Sequence, residues 1–338
     1  MNTLIKNLHI KNFKSVRDLS LDCDRINIFI GKPNAGKSNI LEAISLLGAG
    51  YAEGRFMEGF IRYRAIKQLF SNFNLRSPVE IIANDVSATL NTSNKGSDFI
   101  FSINYINHVI DLNGSNFKLS ENINIGISAD GKIESNTSTG NRPSSIKKYE
   151  FQETVEYQDN GFFLHPPHGD NFYSIVESHP ELRTEIQQFL KPNGLELLLD
   201  IESRRMAVVQ KTDDTLLSFP IHLLPDTFKR YIFHLAAIMS NRDSVLLFEE
   251  PEAHSYAPYV YQLAQHILDD EGGNQYFITT HNPYFLLPIM QEGKDVAIFT
   301  TWFEDYQTHA HRLSEEEIRE VLNYGIDMFL NLDHFIPA

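Results

Sequence analysis

Three short stretches of this chain combine residue types and spacing that suit phosphate chemistry. The first, Gly31-Lys32-Pro33-Asn34-Ala35-Gly36-Lys37-Ser38, fits G-x-x-x-x-G-K-[ST]. Its flanks are the ones the motif requires. Arg25 to Ile30 reads as a short apolar strand, and Ile40, Leu41, Ile44 and Leu47 recur at helical spacing after it. Backbone N–H groups of such a loop wrap a polyphosphate, and the helix N-terminus adds partial positive charge. Gly31, Asn34, Ala35, Gly36, Lys37, Ser38 and Asn39 are the candidate phosphate-binding residues. Lys37 is expected on the β- and γ-phosphates of a nucleoside triphosphate, and the Ser38 hydroxyl on Mg²⁺.

The second stretch is Val245-Leu246-Leu247-Phe248-Glu249-Glu250, an apolar run ending in two carboxylates. In open parallel sheets ligands bind at the carboxyl ends of the strands. One carboxylate there can hold the Mg²⁺ shell opposite Ser38, and the next can orient or deprotonate water. The third is Ile278-Thr279-Thr280-His281-Asn282-Pro283, which places a histidine directly after another apolar strand. His281 is expected at the γ-phosphate or the attacking water.

These stretches need a scaffold that unites them. Residues 3–30 read as two or three strands, 37–48 as a helix and 57–70 as a second helix. Alternating residues from 79 to about 128 predict antiparallel strands, and the polar run 129–148 predicts a loop or a disordered insertion. Residues 171–191 read as partly helical, and 196–211 as a hairpin turning near Ser203. From 226 onward helices alternate with apolar strands, the pattern of a buried parallel sheet. The expected division is 1–78 and 220–338 as two halves of one α/β domain, with 79–219 inserted.

Composition narrows the classes. A net charge of −15 disfavours indiscriminate nucleic-acid binding. Local basic groups remain at Lys6, Lys11, Lys14 and Arg17, and at Arg62, Arg64 and Lys67. No apolar run is long enough to span a membrane, and Cys23 is the only cysteine, so a reducing cytoplasm is the expected home. A guanine-reading Asn-Lys-x-Asp is not formed, since the nearest run, Asn94-Lys95-Gly96-Ser97, ends in serine.

Ile10-Lys11-Asn12-Phe13-Lys14-Ser15, the loop at 31–38 with Asn39 to Ile44, Glu250-Pro251-Glu252-Ala253-His254 and Thr280-His281-Asn282-Pro283 together resemble the ABC-type ATPase heads of the RecF/SMC/OLD group. The resemblance is closest to the OLD-like AAA-family ATPases of bacterial defence loci. It implies an α/β P-loop fold with a mostly parallel core sheet, an antiparallel β subdomain and a helical insertion. It also implies ATP and Mg²⁺ as cofactors, Glu250 as catalytic glutamate, His281 as switch histidine, and Glu249 with Ser38 at the metal. Gln68 is a weak candidate for a Mg²⁺-contacting glutamine. Such heads pair head-to-tail around two ATPs, which makes Glu252 and His254 candidate interface residues. The signature segment departs from the usual Ser-x-Gly: Leu224-Pro225-Asp226 leaves Thr227, Lys229 or Arg230 to contact the partner's nucleotide. Nothing after the head reads as a nuclease domain, so effector activity is expected of a separate protein.

Overall fold

A computed structural model of the chain describes residues 4–51, 54–84, 86–93, 98–110, 116–138, 145–153, 161–212, 214–325 and 327–337. Strands β1 (Asn7–Phe13) and β2 (Val16–Asp22) form a hairpin, and β3 (Ile26–Gly31) leads through the glycine loop into helix α1 (Lys37–Ser45). Five strands follow: β4 (Val79–Ala83), β5 (Val86–Thr92), β6 (Phe99–Ile110), β7 (Asn116–Ile127) and β8 (Ile133–Ser138). Then come β9 (Ile146–Tyr149), α2 (Phe172–Ser178), α3 (Pro180–Leu190), β10 (Leu195–Asp200), β11 (Arg205–Thr212) and β12 (Thr215–Pro220). The remainder alternates: α4 (Asp226–Ser240), β13 (Val245–Glu249), α5 (Ala257–Leu268), β14 (Gln275–Thr279), α6 (Pro283–Glu292), β15 (Val296–Glu304), β16 (Gln307–Arg312) and α7 (Glu315–Tyr324).

The site rests on a six-stranded sheet in the order β16-β15-β3-β14-β13-β9. Every pair in it is parallel except β15 with β16. All residues of β3 and β14 are buried, which is why these strands read as unbroken apolar runs. The pleat sorts their side chains between two layers. Phe29, Leu247, Phe277 and Phe299 pack with α1 and a second, antiparallel sheet. Ile28, Ile30, Phe248 and Ile278 pack with α2 to α6. The antiparallel sheet runs β2-β1-β4-β5-β6-β7-β8, so it takes strands from both sides of position 79. Strands β10, β11 and β12 form a third sheet of their own. Cys23 packs in the core, where burial pushes its thiol up to about 12, as a packing residue rather than a nucleophile.

Two sequence expectations are corrected. Residues 57–70 are turns, with short 3₁₀ segments at Ile66–Leu69 and Ser71–Phe73, not a second helix. Met57 and Gly59 take left-handed backbone (φ 51° and 79°), which an α-helix excludes. The polar run 129–148 is not one loop. Ile133–Ser138 adds β8 to β7, and Ile146–Tyr149 adds β9 to the parallel edge of β13. Residues 139–144 and 94–97 lie outside the described residues.

One buried amide fastens the chain's start to the central sheet. Gln275, first in β14, accepts from the Ile5 N–H at 2.7 Å and donates to the carbonyls of Ile5 and Asp24, each at 2.7 Å. Removing it orphans a buried donor and two acceptors. Gln275→Ala is expected to cost about 2–4 kcal/mol of unfolding free energy, measured by urea denaturation. A loss below about 0.5 kcal/mol would remove this anchoring role.

Candidate nucleotide site

The parallel sheet delivers the phosphate loop to its carboxyl edge. Gly36 stands at the start of α1 with φ 93°, and no side chain caps the helix there. The first-turn N–H groups are therefore open to an anion. Any Cβ at Gly36 would overlap the Thr308 hydroxyl, so glycine is required on both conformational and steric grounds. Asn34 also takes a left-handed conformation (φ 63°), and Ala35 is buried beneath the loop. Asn39 is tied sideways instead: its amide donates to Ser15 Oγ at 2.6 Å, and Ser15 meets the Thr308 hydroxyl at 2.6 Å.

Lys37 is buried, and its ammonium donates to the carbonyls of Gly31 at 2.9 Å and Lys32 at 3.1 Å. Burial lowers its pKa, and the charges of Glu250 and Glu249 partly restore it. An ammonium at the centre of an uncapped loop fits an anionic phosphate chain.

Ser38 lies close enough to Glu249 to help lower its pKa, so the two candidate Mg²⁺ ligands stand together. Glu249 does not stand alone: Arg62 Nη2 lies 3.2 Å from its Oε1, and Lys148 Nζ lies 3.5 Å from its Oε2. Burial alone would raise the Glu249 pKa, but Lys148, Ser38 and Arg62 outweigh it and the pKa falls below the usual value. Arg62 also bonds Glu42 at 2.8 Å, and Lys14 closes on the other Glu42 oxygen. Glu42 is fully buried and follows Ser38 by one helical turn.

Glu250 lies beside β14. Its backbone N–H donates to the Thr279 carbonyl at 3.0 Å, and its own backbone is left-handed (φ 45°), a strained geometry for a glutamate. His281 Nε2 lies 3.5 Å from Glu250 Oε1, and both side chains are partly exposed. Burial and then the Lys37 charge lower the His281 pKa, against the pull of Glu250, so its imidazole is neutral at pH 7. Glu252 sits beneath this pair. It accepts from the Thr280 hydroxyl at 2.5 Å and from the His281 N–H at 3.1 Å, so it positions the histidine's loop. Its second oxygen, Oε2, is buried without a partner.

Comparison with known proteins places this arrangement. A family model described as an AAA ATPase domain matches residues 4–190, more than half of the chain. The chain belongs to the AAA ATPase domain family. Membership of this family implies ATP binding. An uncharacterized protein of Methanocaldococcus jannaschii, MJECL10, shares 52% identity over 44 residues, 13% of this chain and 20% of that protein. The chain thus matches about a fifth of that curated relative's length. Among solved structures, an Smc head bound to the C-winged helix domain of ScpA superposes with a TM-score of 0.53 at 14% identity, covering 94% of this chain and 99% of that one. A Pyrococcus furiosus Smc head with an extended coiled coil, bound to the C-terminal domain of ScpA, gives 0.49 at 14% identity, covering 95% and 98%. The fold is an SMC-head-like P-loop ATPase, mixing parallel and antiparallel sheets.

Within this ATPase domain several sequence candidates are engaged elsewhere. Gln68 spends its amide oxygen on the N–H groups of Arg64 (2.7 Å) and Ala65 (3.1 Å), closing a turn. Glu252 is buried within the chain and so is unsuited to an interface. Lys229 pairs with Asp226 at 3.0 Å and Glu153 at 3.1 Å, and Arg230 lies 5.0 Å from the Phe151 ring centre. The Thr227 hydroxyl accepts from the Tyr256 N–H at 3.2 Å, whereas His254 is exposed. Sequence reasoning missed Lys148, and it assigned Lys14 and Arg62 to a surface patch. The clue available was Glu42, a carboxylate in an apolar helix that needs cations.

Glu252 makes the domain's stability depend on pH. Burial raises its pKa from the usual 4.5 to about 7, despite the bonds from Thr280 and His281. Between those values the folded chain holds the proton that the unfolded chain releases, so this group's contribution falls as pH rises and levels off above 7. Glu252→Gln should remove that decline. From pH 4.5 to 7 the wild-type unfolding free energy should fall relative to that of the variant, and parallel curves would contradict the assignment.

Proposed function

We propose that this ATPase domain binds ATP with Mg²⁺ at the carboxyl edge of β3, β13 and β14 and hydrolyses it to ADP and phosphate. The observation that carries this reading is the meeting of Lys37, the Ser38–Glu249 pair, Glu250 and His281 at one sheet edge. Lys37 and the open N-terminus of α1 bind the phosphates. Mg²⁺, held by Ser38 and Glu249, would neutralise phosphate charge when bound. Glu250 orients the attacking water and accepts its proton, and neutral His281 steadies that water or the γ-phosphate.

The exposed side of Glu250 and His281 favours completion of the site by a second head. We assign that contact to the start of α4 near Thr227 and to exposed His254. A separate protein partner fits the same reading, as the similar Smc head binds a domain of ScpA. The OLD-like motifs point to control of an effector in antiviral defence or DNA metabolism. Nucleic-acid contact is left to Lys6, Lys11, Arg17, Arg64 and Lys67, because Lys14 and Arg62 bind Glu42. Among the described residues no helix is long and apolar enough to cross a membrane.

A second reading, an ATP-dependent assembly scaffold with negligible turnover, is favoured by two observations. Glu249 is held by Arg62 and Lys148, and Lys229 is held by Asp226 and Glu153. Single-turnover phosphate release separates the two. Wild type should release phosphate, and Glu250→Gln should slow release at least about 100-fold while still binding ATP. Equal rates would remove Glu250 from its role, and no release by wild type would establish the scaffold reading.

A further inference from the structure

Adjacent lysines on the edge strand β9 face opposite sides of the sheet. Lys148 is buried against Glu249 at the nucleotide edge. Lys147 pairs in register with Leu246 and turns to the other layer, where it lines a cavity of about 530 Å³ beside α3 and the end of α4. That volume lies within the range of small-molecule sites.

Lys147 is 5% exposed, and among the described residues its ammonium meets neutral groups. It bonds Asn241 Oδ1 at 2.5 Å and Ser244 Oγ at 3.1 Å and lies 3.7 Å from the Phe163 ring centre. Among the described residues it pairs with no carboxylate. Burial alone lowers its pKa to about 8, so much of it is charged at neutral pH. A buried, unbalanced ammonium is costly, and a bound anion removes the imbalance.

The rest of the cavity agrees with an anion. Helix α3 opens onto it with no side-chain cap, so its N-terminus adds partial positive charge. Arg242 also lines the cavity, and Glu181 is the one acidic residue among the described residues that line it. The Nδ1 atom of His179 is engaged by Ser178 Oγ at 3.0 Å and the Ile175 carbonyl at 2.9 Å. Phe163, Leu182, Met239 and a 94% exposed Phe162 supply apolar walls.

We propose that this cavity is a second ligand site, separate from the nucleotide edge, for a small anion carrying an apolar or aromatic body. Lys147, the α3 N-terminus and Arg242 receive the charge, and the phenylalanines receive the body.

Benzoate and phenyl phosphate serve as probes of carboxylate and phosphate ligands. Calorimetric titration uses the full chain carrying Lys37→Ala, so that the phosphate loop does not contribute. At least one probe should bind one per chain, with at least tenfold weaker binding after adding Lys147→Met and a smaller loss after Arg242→Gln. Binding by neither probe, or binding indifferent to both substitutions, would overturn the proposal. Should Lys147→Met fail to fold, ¹³C-methylated lysines in the otherwise intact chain give a second readout. The Lys147 resonance should shift with the probe and titrate above its ligand-free midpoint near 8. A resonance unmoved by either probe would equally overturn the site.

Discussion

Everything at the nucleotide edge depends on the parallel pairing of β3, β14 and β13. Phe29 stands opposite Thr279, and Thr279 opposite Glu249, so β14 and β13 end level and β3 continues to Gly31 at the start of the loop. The loop at 31–38, the carboxylates at 249–250 and His281 are over two hundred residues apart at the extremes, yet leave the sheet together. A register slip of one residue would turn every inward side chain outward. With β3 and β14 buried on both faces, that slip would break both apolar layers at once.

Bringing acids to one edge creates a charge problem that the fold resolves with cations. Glu42 is sealed in the interior and is held by Lys14 and Arg62; Glu249 is held by Arg62 and Lys148. Breaking such a buried pair costs more than forming it gains, so these residues act as one unit. The same unit links the helix after the glycine loop to the carboxylate that ends β13, with Arg62 touching both acids. Across the site Glu252 performs a related task with hydrogen bonds, holding Thr280 and His281 in place.

The sheet strands and the phosphate loop were legible because burial on both faces leaves an unbroken apolar run and glycines mark the turn. The ends of those runs named Glu249, Glu250 and His281 as neighbours. Charged residues in buried positions defeated the reading elsewhere. Lys147 and Lys148 made a strand look like part of a polar loop, and Arg62 looked like surface. Residues 57–70 had helical spacing but adopt turns, because the left-handed backbone at Met57 and Gly59 depends on surroundings no local pattern encodes. Gln68 and Glu252 had suitable chemistry, and only the fold shows where their oxygens are used.

We propose that this edge holds ATP through Lys37 and Mg²⁺ through Ser38 and Glu249. Equilibrium dialysis of ATP against the wild-type chain, Lys37→Ala and Ser38→Ala, each with and without Mg²⁺, tests it most directly. The predicted result is one ATP per wild-type chain, binding lost in Lys37→Ala, and tightening by Mg²⁺ abolished in Ser38→Ala. Equal ATP binding by wild type and Lys37→Ala would contradict the account.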